Sequence, residues 1–389
     1  MIKFKSKKII SWQTLLTNHQ AFTYQELADL YDIEFIAYSY KIVDKEKHGH
    51  GWKKNIFKNI DLKIIPSGSN FLFFCFNVIK NNKNAIYIIN SPFDSIKIIY
   101  CIFLCVIFKV EFYLISEPFS TSLDGYHSKN FQFSNLIKLL LRPLIYKIYY
   151  SLFLKKTKGI FAISSASVIQ YSKLGIPKNK IFPFGYFVPK MKSYTVHRKT
   201  FQSKCLRICF VAKLIPRKNL KSLIYATESL SNLGYAIKLD IFGSGEIDTY
   251  KFNNTYIKYK GEIPFERVQP IIQRYHLLVV PSSFDGWGVV VNEAILAKTP
   301  ILCSDRTGSK ALIEAYNVGL IFKTNDQHDL INKIKKIYKN RELLKEMSKN
   351  CKNACHLILP KVAALYMYQK INKITSLAPW YLLARKSYN

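Results

Sequence analysis

Short apolar runs rich in Ile, Val, Phe and Tyr alternate with longer stretches of helical period along nearly all 389 residues. A run without polar interruption buries both faces of a strand, which happens in parallel sheets covered by helices on either side. In the first half, residues 8–17, 33–39, 85–90, 110–116 and 159–164 read as strands. The stretches 24–31, 93–108, 136–154 and 167–174 read as helices between them. Periodicity lapses over the polar, basic stretch 186–203, then restarts. Strands follow at 206–212, 236–242, 256–259, 277–280 and 301–304, helices at 219–233, 265–274 and 289–297, and further helical patterns at 327–350 and 357–374. The fold class is therefore α/β, with two Rossmann-like parallel-sheet domains facing each other across a cleft: a first domain over 1–190, a linker at 191–204 and a second domain over 205–365. The chain is long enough for two cores of this size.

Charge adds a second constraint. Lys and Arg number 58 against 25 Asp and Glu, a net charge of +33. The abundance of Lys, Ile and Asn is what AT-rich coding would produce, so basicity alone assigns no function. One block goes further: no acid occurs between Asp124 and Glu228, while 20 Lys or Arg do. That makes a positive field suited to polyanions or an anionic membrane face. The eight cysteines form no CxxC and lie beside no clustered His or carboxylate, so reduced thiols are expected rather than zinc or disulfides. The start, MIKFKSKKIISWQTLL, has no apolar stretch of signal length, so secretion is not expected. The longest apolar run, Ile98 to Phe108, is about half the roughly 20 residues that span a bilayer.

Open α/β sheets bind ligands beyond the carboxyl ends of their strands, and the chemistry-bearing motifs sit there. KLIPRKN follows the strand at 206–212 and puts Lys213, Arg217 and Lys218 ahead of a helix, a place suited to an anion. GSGE follows the strand at 236–242, where Gly243 and Gly245 allow a close backbone approach. In VVPSSFDGWGVVVNEA, a loop carrying Asp285, Gly286, Trp287 and Gly288 leads to a helix opening near Val289. Main-chain amides at such a turn suit a diphosphate. Asp285 and Glu293, eight residues apart, would repel an anion and suit hydroxyls. A hydroxyl-rich phosphate ester meets both demands. No GxGxxG, P-loop or kinase motif set occurs, and no nucleic-acid-binding motif accompanies the charge.

These residues resemble the donor domain of retaining GT-B glycosyltransferases of family four over about 205–330. The family's E-x7-E is matched by Asp285 to Glu293, its G-R-L-x-x-x-K-G by AKLIPRKN, and GSGE, KGEIPFERV and PILCSD follow in order. The resemblance implies that Glu293 holds the ribose hydroxyls, Asp285 the transferred sugar, and Lys213 and Lys218 the diphosphate. Main-chain groups from Gly286 to Val289 would hold sugar or phosphate, and Gly261, Glu262 and Ile263 would lie along the base. It further implies a metal-independent enzyme without cofactor, front-face attack with retention, and a C-terminal segment at 366–389 returning toward the first domain.

Three departures stand out: Asp285 for Glu, Lys213 for Arg, and a first turn, TNHQAF, without the family's glycine pair, so that His19 and Gln20 are the candidates for that face. TNHQAFTYQELADLY, LISEP and FPFGYF resemble polysaccharide-assembly members, in which a His often stands where Glu117 is here. Tyr126, His127 and the helix at 136–154 could serve the acceptor or pack internally. The expectation is sugar transfer to a glycan, lipid-linked, at the cytoplasmic face of the membrane, with peripheral contact to anionic lipid and no nucleic acid. A nucleotide-sugar epimerase of the same fold and a silent nucleotide-sugar binder are the alternatives.

Overall fold

The computed structural model describes residues 7–41, 58–68, 70–90, 92, 95–119, 133–191, 201, 203–253 and 255–381. Tyr126, His127, most of the expected linker and the last eight residues lie outside that range.

The first half contains β1 (Lys8–Leu15), α1 (Asn18–Tyr31), β2 (Glu34–Lys41), β3 (Ile60–Ile64), α2 (Asn70–Asn81), β4 (Ile86–Asn90), α3 (Ile96–Ile107), β5 (Phe112–Ser116), α4 (Phe133–Leu152), β6 (Gly159–Ile163), α5 (Ser164–Lys173) and β7 (Ile181–Phe184). The second contains β8 (Leu206–Val211), α6 (Leu220–Asn232), β9 (Ile237–Phe242), β10 (Ile257–Tyr259), α7 (Val268–Ile272), β11 (Leu277–Val280), α8 (Val290–Leu296), β12 (Ile301–Ser304), α9 (Lys310–Tyr316), β13 (Gly319–Phe322), α10 (Gln327–Lys339), α11 (Arg341–Ala354) and α12 (Pro360–Ile371).

The strand order is β3-β2-β1-β4-β5-β6-β7 in one sheet and β10-β9-β8-β11-β12-β13 in the other. Every pairing is parallel. Central strands β4, β5, β6, β11 and β12 are buried at every position, which is why their sequences show no alternation. Each order reverses once, between β1 and β4 and between β8 and β11. Loops leaving neighbouring strands in opposite directions open a crevice there. This is the two-domain GT-B arrangement.

Several elements differ from the sequence expectation for local reasons. The helix expected over 327–350 is broken at Asn340, whose side chain accepts from Leu343 N at 3.0 Å and caps α11. Helix α1 begins at Asn18 rather than 24 because Thr17 and Gln20 form a capping box. The helix expected over 265–274 is a 3-10 turn, Phe265–Arg267, followed by α7. Strands β3, β7 and β13 and helix α9 have no counterpart in the sequence reading.

The last helix joins the halves. Tyr31 of α1 stacks on Tyr368 of α12 with ring centroids 3.7 Å apart. Tyr113 donates its hydroxyl to the Ile371 carbonyl at 3.2 Å. Trp380, fully buried, packs 4.3 Å from Phe187 and 5.4 Å from Tyr366. One hydrophobic core thus runs from β1 through Trp287 to Trp380. Truncating a buried Trp removes its transfer energy and leaves a cavity, so Trp380→Ala should lower stability by about 3–5 kcal/mol in urea unfolding. A loss below about 1 kcal/mol would show that this segment is not part of the core.

Candidate functional site

The loop after β8 and the loop after β11 leave adjacent strands at the reversal point of the second sheet, and they are built into one unit. Ser283 N donates to the Arg217 carbonyl at 2.8 Å. Lys218 Nζ bonds an Asp285 carboxylate oxygen, and Arg217 reaches the other oxygen at 3.8 Å while donating to the Phe284 carbonyl at 3.3 Å. The carboxylate is 10% exposed, so it has given up most of its water and is compensated by two cations. Asn219, where the family pattern has Gly, takes the left-handed conformation at φ 51° that Asn tolerates and starts α6. Lys213 is half-buried in the same loop.

A third loop supports the first. Leu214 N donates to the Ser244 carbonyl at 2.7 Å, and Gly243 N to the Gly261 carbonyl at 3.0 Å. A Cβ on Gly243 would lie 1.8 Å from the Ala212 carbonyl oxygen, and φ there is 145°. The close approach that requires this glycine is to the neighbouring loop's backbone. Beyond Gly261, Glu262 is exposed and Ile263 packs partly against the core. The following Phe265 stacks on Phe22 of the first half at 5.9 Å.

The loop from Asp285 to Val289 rests on the turn after β12. Asp285 N donates to the Arg306 carbonyl at 3.1 Å, Gly308 N to the Asp285 carbonyl at 2.9 Å, and Ser309 N to the Trp287 carbonyl at 2.7 Å. A Cβ on Gly308 would stand 2.1 Å from the Gly286 carbonyl oxygen. Gly288 sits at φ 88°. Trp287 is 2% exposed: its indole donates to Asn292 at 2.8 Å and fills the space that a Cβ on Gly185 would occupy. Its side chain is therefore a wedge between the halves, leaving only its main chain for a ligand. Helix α8 is seven residues long, shorter than the nine expected, so the positive charge here comes from Arg217 and Lys218 rather than from a long helix dipole.

The first half meets this loop at two points. The Glu117 carboxylate lies against Gly286, where an added Cβ would approach it to 2.2 Å. Ser164 sits at φ 74°, fully buried, with its hydroxyl unpartnered among the described residues and its Cβ beside Gly308. A strained serine persists only where its surroundings enforce it. The other two first-half candidates lie at the start of α1. His19 packs on Tyr186 at 4.5 Å, and the Gln20 side-chain oxygen Oε1 accepts from the Thr17 hydroxyl at 2.8 Å, engaged by the helix cap. The structure thus joins Lys218, Asp285, Gly286 and Glu117, and adds Arg217, Ser164 and Gly308. Arg217 had a signal in the basic turn. The other two became visible only through packing across the seam.

Glu293 lies on the first turn of α8 and is 6% exposed. Burial pushes its carboxyl up to about 8.

Residues 196–354 match the family model described as glycosyl transferases group 1. The chain is 29% identical over 150 residues to an uncharacterized glycosyltransferase, MJ1178, of Methanocaldococcus jannaschii, covering 37% of this chain and 41% of that one. It is 24% identical over 158 residues to poly(ribitol-phosphate) alpha-N-acetylglucosaminyltransferase of Staphylococcus aureus, covering 38% and 31%. The aligned stretches span less than half of either relative. The Anabaena protein Alr3699/HepE, solved with UDP and glucose, superposes with a TM-score of 0.66 at 13% identity over 94% of this chain and 98% of its own. That likeness shows the fold.

The buried acid has a pH signature. Glu293 keeps its proton to about pH 8 when folded, whereas an unfolded Glu loses it near the usual value of about 4.3. Its contribution to stability is whole below that unfolded value. It declines by about 1.4 kcal/mol per pH unit as pH rises to about 8. Glu293→Gln, neutral throughout, should match wild type in thermal unfolding below about pH 4 and be the more stable of the two at pH 8. Parallel profiles would mean that the acid is not buried as described.

Proposed function

We propose that this chain, with its glycosyl transferases group 1 domain over 196–354, moves a sugar from a nucleotide-diphosphate sugar to a glycan acceptor with retention at the anomeric carbon, in cell-surface polysaccharide synthesis. The observation that carries this reading is the convergence of Arg217 and Lys218 on Asp285 where the second sheet reverses. Those cations are suited to a departing diphosphate, and the carboxylate to the hydroxyls of the sugar attached to it. UDP bound to HepE, a protein of the same fold, and the sugar-transferase name of the staphylococcal relative support it.

In the proposed reaction the bond between the anomeric carbon and the phosphate oxygen breaks, with its electron pair passing to the diphosphate. The acceptor hydroxyl attacks from the same face and gives its proton to that phosphate oxygen. Charge accumulates on the leaving group, where Lys213, Arg217 and Lys218 stabilise it most if they are already in place. The entering diphosphate competes with Asp285 for Lys218, so donor binding turns Asp285 toward the sugar. Glu293, pushed up by burial, takes the ribose hydroxyls, and Glu117 against Gly286 borders the sugar. This scheme uses side-chain cations in the role a metal would otherwise fill, and needs no cofactor. The acceptor is a lipid-linked glycan, reached at the inner face of the cytoplasmic membrane.

Lys218→Ala and Glu293→Ala should each lower kcat/KM for sugar transfer by about two orders of magnitude, roughly 3 kcal/mol, comparable to removing one preorganised donor. Near-normal transfer by purified Glu293→Ala would remove the site assignment. Among UDP, GDP, ADP and CDP, one nucleotide at about 100 times its Kd should stabilise the fold by about 2.7 kcal/mol in thermal shift. Because diol hydroxyls donate better to a carboxylate than to a carboxyl, that nucleotide should bind more tightly as pH rises toward 8. Binding that weakens over the same range would contradict the role given to Glu293.

A further inference from the structure

Away from the cleft, the helices on one face of the first sheet carry an apolar outer surface that their core does not explain. Helices α2, α3 and α4 are anchored inward by Cys75, Cys101 and Tyr149 in one core. Outward, among the described residues, Phe73 is 73% exposed, Ile96 76%, Leu144 59% and Leu152 60%. On α4 the exposed Leu141, Leu144, Ile145, Ile148 and Leu152 fall within an arc of about 100°, roughly a quarter turn from buried Tyr149. Contacts make the surface continuous: the Tyr100 hydroxyl donates to the carbonyl of exposed Leu72 at 3.4 Å, and rings meet from Tyr100 to Phe103 at 6.4 Å and from Phe103 to Phe153 at 6.2 Å.

The charge around this surface is predominantly positive. Residues 70–158 contain eleven Lys or Arg and four acids. Lys147, Lys155, Lys156 and Lys158 are exposed on and just after α4. A second copy of this chain would bring an equally basic rim against the first and be repelled. An anionic bilayer offers both requirements at once, phosphate charge for the lysines and an acyl boundary for the apolar stripe. Among the described residues no helix is long and apolar enough to cross a membrane, so the helices would lie on the surface.

We infer that the outer face of α2, α3 and α4 docks on anionic phospholipid, with the Leu141–Leu152 stripe of α4 entering the headgroup boundary. This deepens the membrane side of the proposed function and rests on it only for the identity of the acceptor.

The test is co-sedimentation of the full chain with phosphatidylcholine vesicles, with and without about 30 mol% phosphatidylglycerol. Wild type should partition at least about tenfold more strongly onto the anionic vesicles. Leu144→Asn/Ile148→Asn, at exposed positions, should keep the wild-type circular dichroism and lose about tenfold in partition. Lys155→Gln/Lys156→Gln should lose binding mainly at low salt. No preference for anionic vesicles overturns the inference, as does an Asn double variant that binds like wild type. Self-association through the stripe in sedimentation velocity, with vesicle binding unaffected by the Asn substitutions, assigns the face to a dimer and overturns it too. Nucleotide-induced thermal shift on the same samples reads the donor site separately, so failed docking and a failed donor reading give different patterns.

Discussion

The Asp285 carboxylate, held by Lys218 and approached by Arg217, is the contact on which the organisation of the second half turns. A carboxylate this shielded from water is costly unless cations and hydrogen bonds replace its hydration. Removing one partner of such a group typically costs about 3–5 kcal/mol, so the pair fixes where both loops can go. It can form because β8 and β11 are neighbours whose connecting helices leave on opposite sides. The loops therefore part around a crevice instead of stacking.

Around that contact the chain spends side-chain volume sparingly. Gly243 lets one loop lie against Ala212, Gly308 lets the turn after β12 lie against Gly286, and Gly185 leaves room for Trp287. Each is a place where backbone or ring occupies the position of a Cβ, so main-chain hydrogen bonds hold the loops together with the ion pairs of Asp285. Groups fixed in this way need no reorganisation when charge develops near them, the condition under which electrostatic stabilisation is most effective. The same economy ties the halves together, since Glu117 and Ser164 of the first reach the glycines of the second.

Much of this architecture was legible in the chain. The largely apolar runs of β4, β5, β11 and β12 announce strands buried on both faces, and the motifs after β8, β9 and β11 fall at strand ends. Edge strands were not legible for a physical reason: β3 is IDLKI, exposed at three of five positions, and β7 contains Pro183. With little to bury or a donor missing, they carry weak patterns that only pairing with β2 or β6 resolves. Helix α8 was read too long because Val289 and Ala297 have helical character without belonging to it. Ser164 and Gly308 could not be read at all, because their significance is mutual and separated by 144 positions of sequence.

The two acids of D-x7-E end in opposite surroundings although only eight positions of sequence separate them. Asp285 sits between cations, while for Glu293 burial dominates and pushes its carboxyl up to about 8. A site built for a single anion would gain nothing from the second acid, and one built for a neutral sugar would gain nothing from the cations around the first. Both are useful for a molecule whose charged group lies between two hydroxyl-bearing parts, presenting phosphate to Lys218 and a diol to Glu293. The electrostatic contrast between the two residues supports the proposed sugar nucleotide on grounds separate from likeness to other chains.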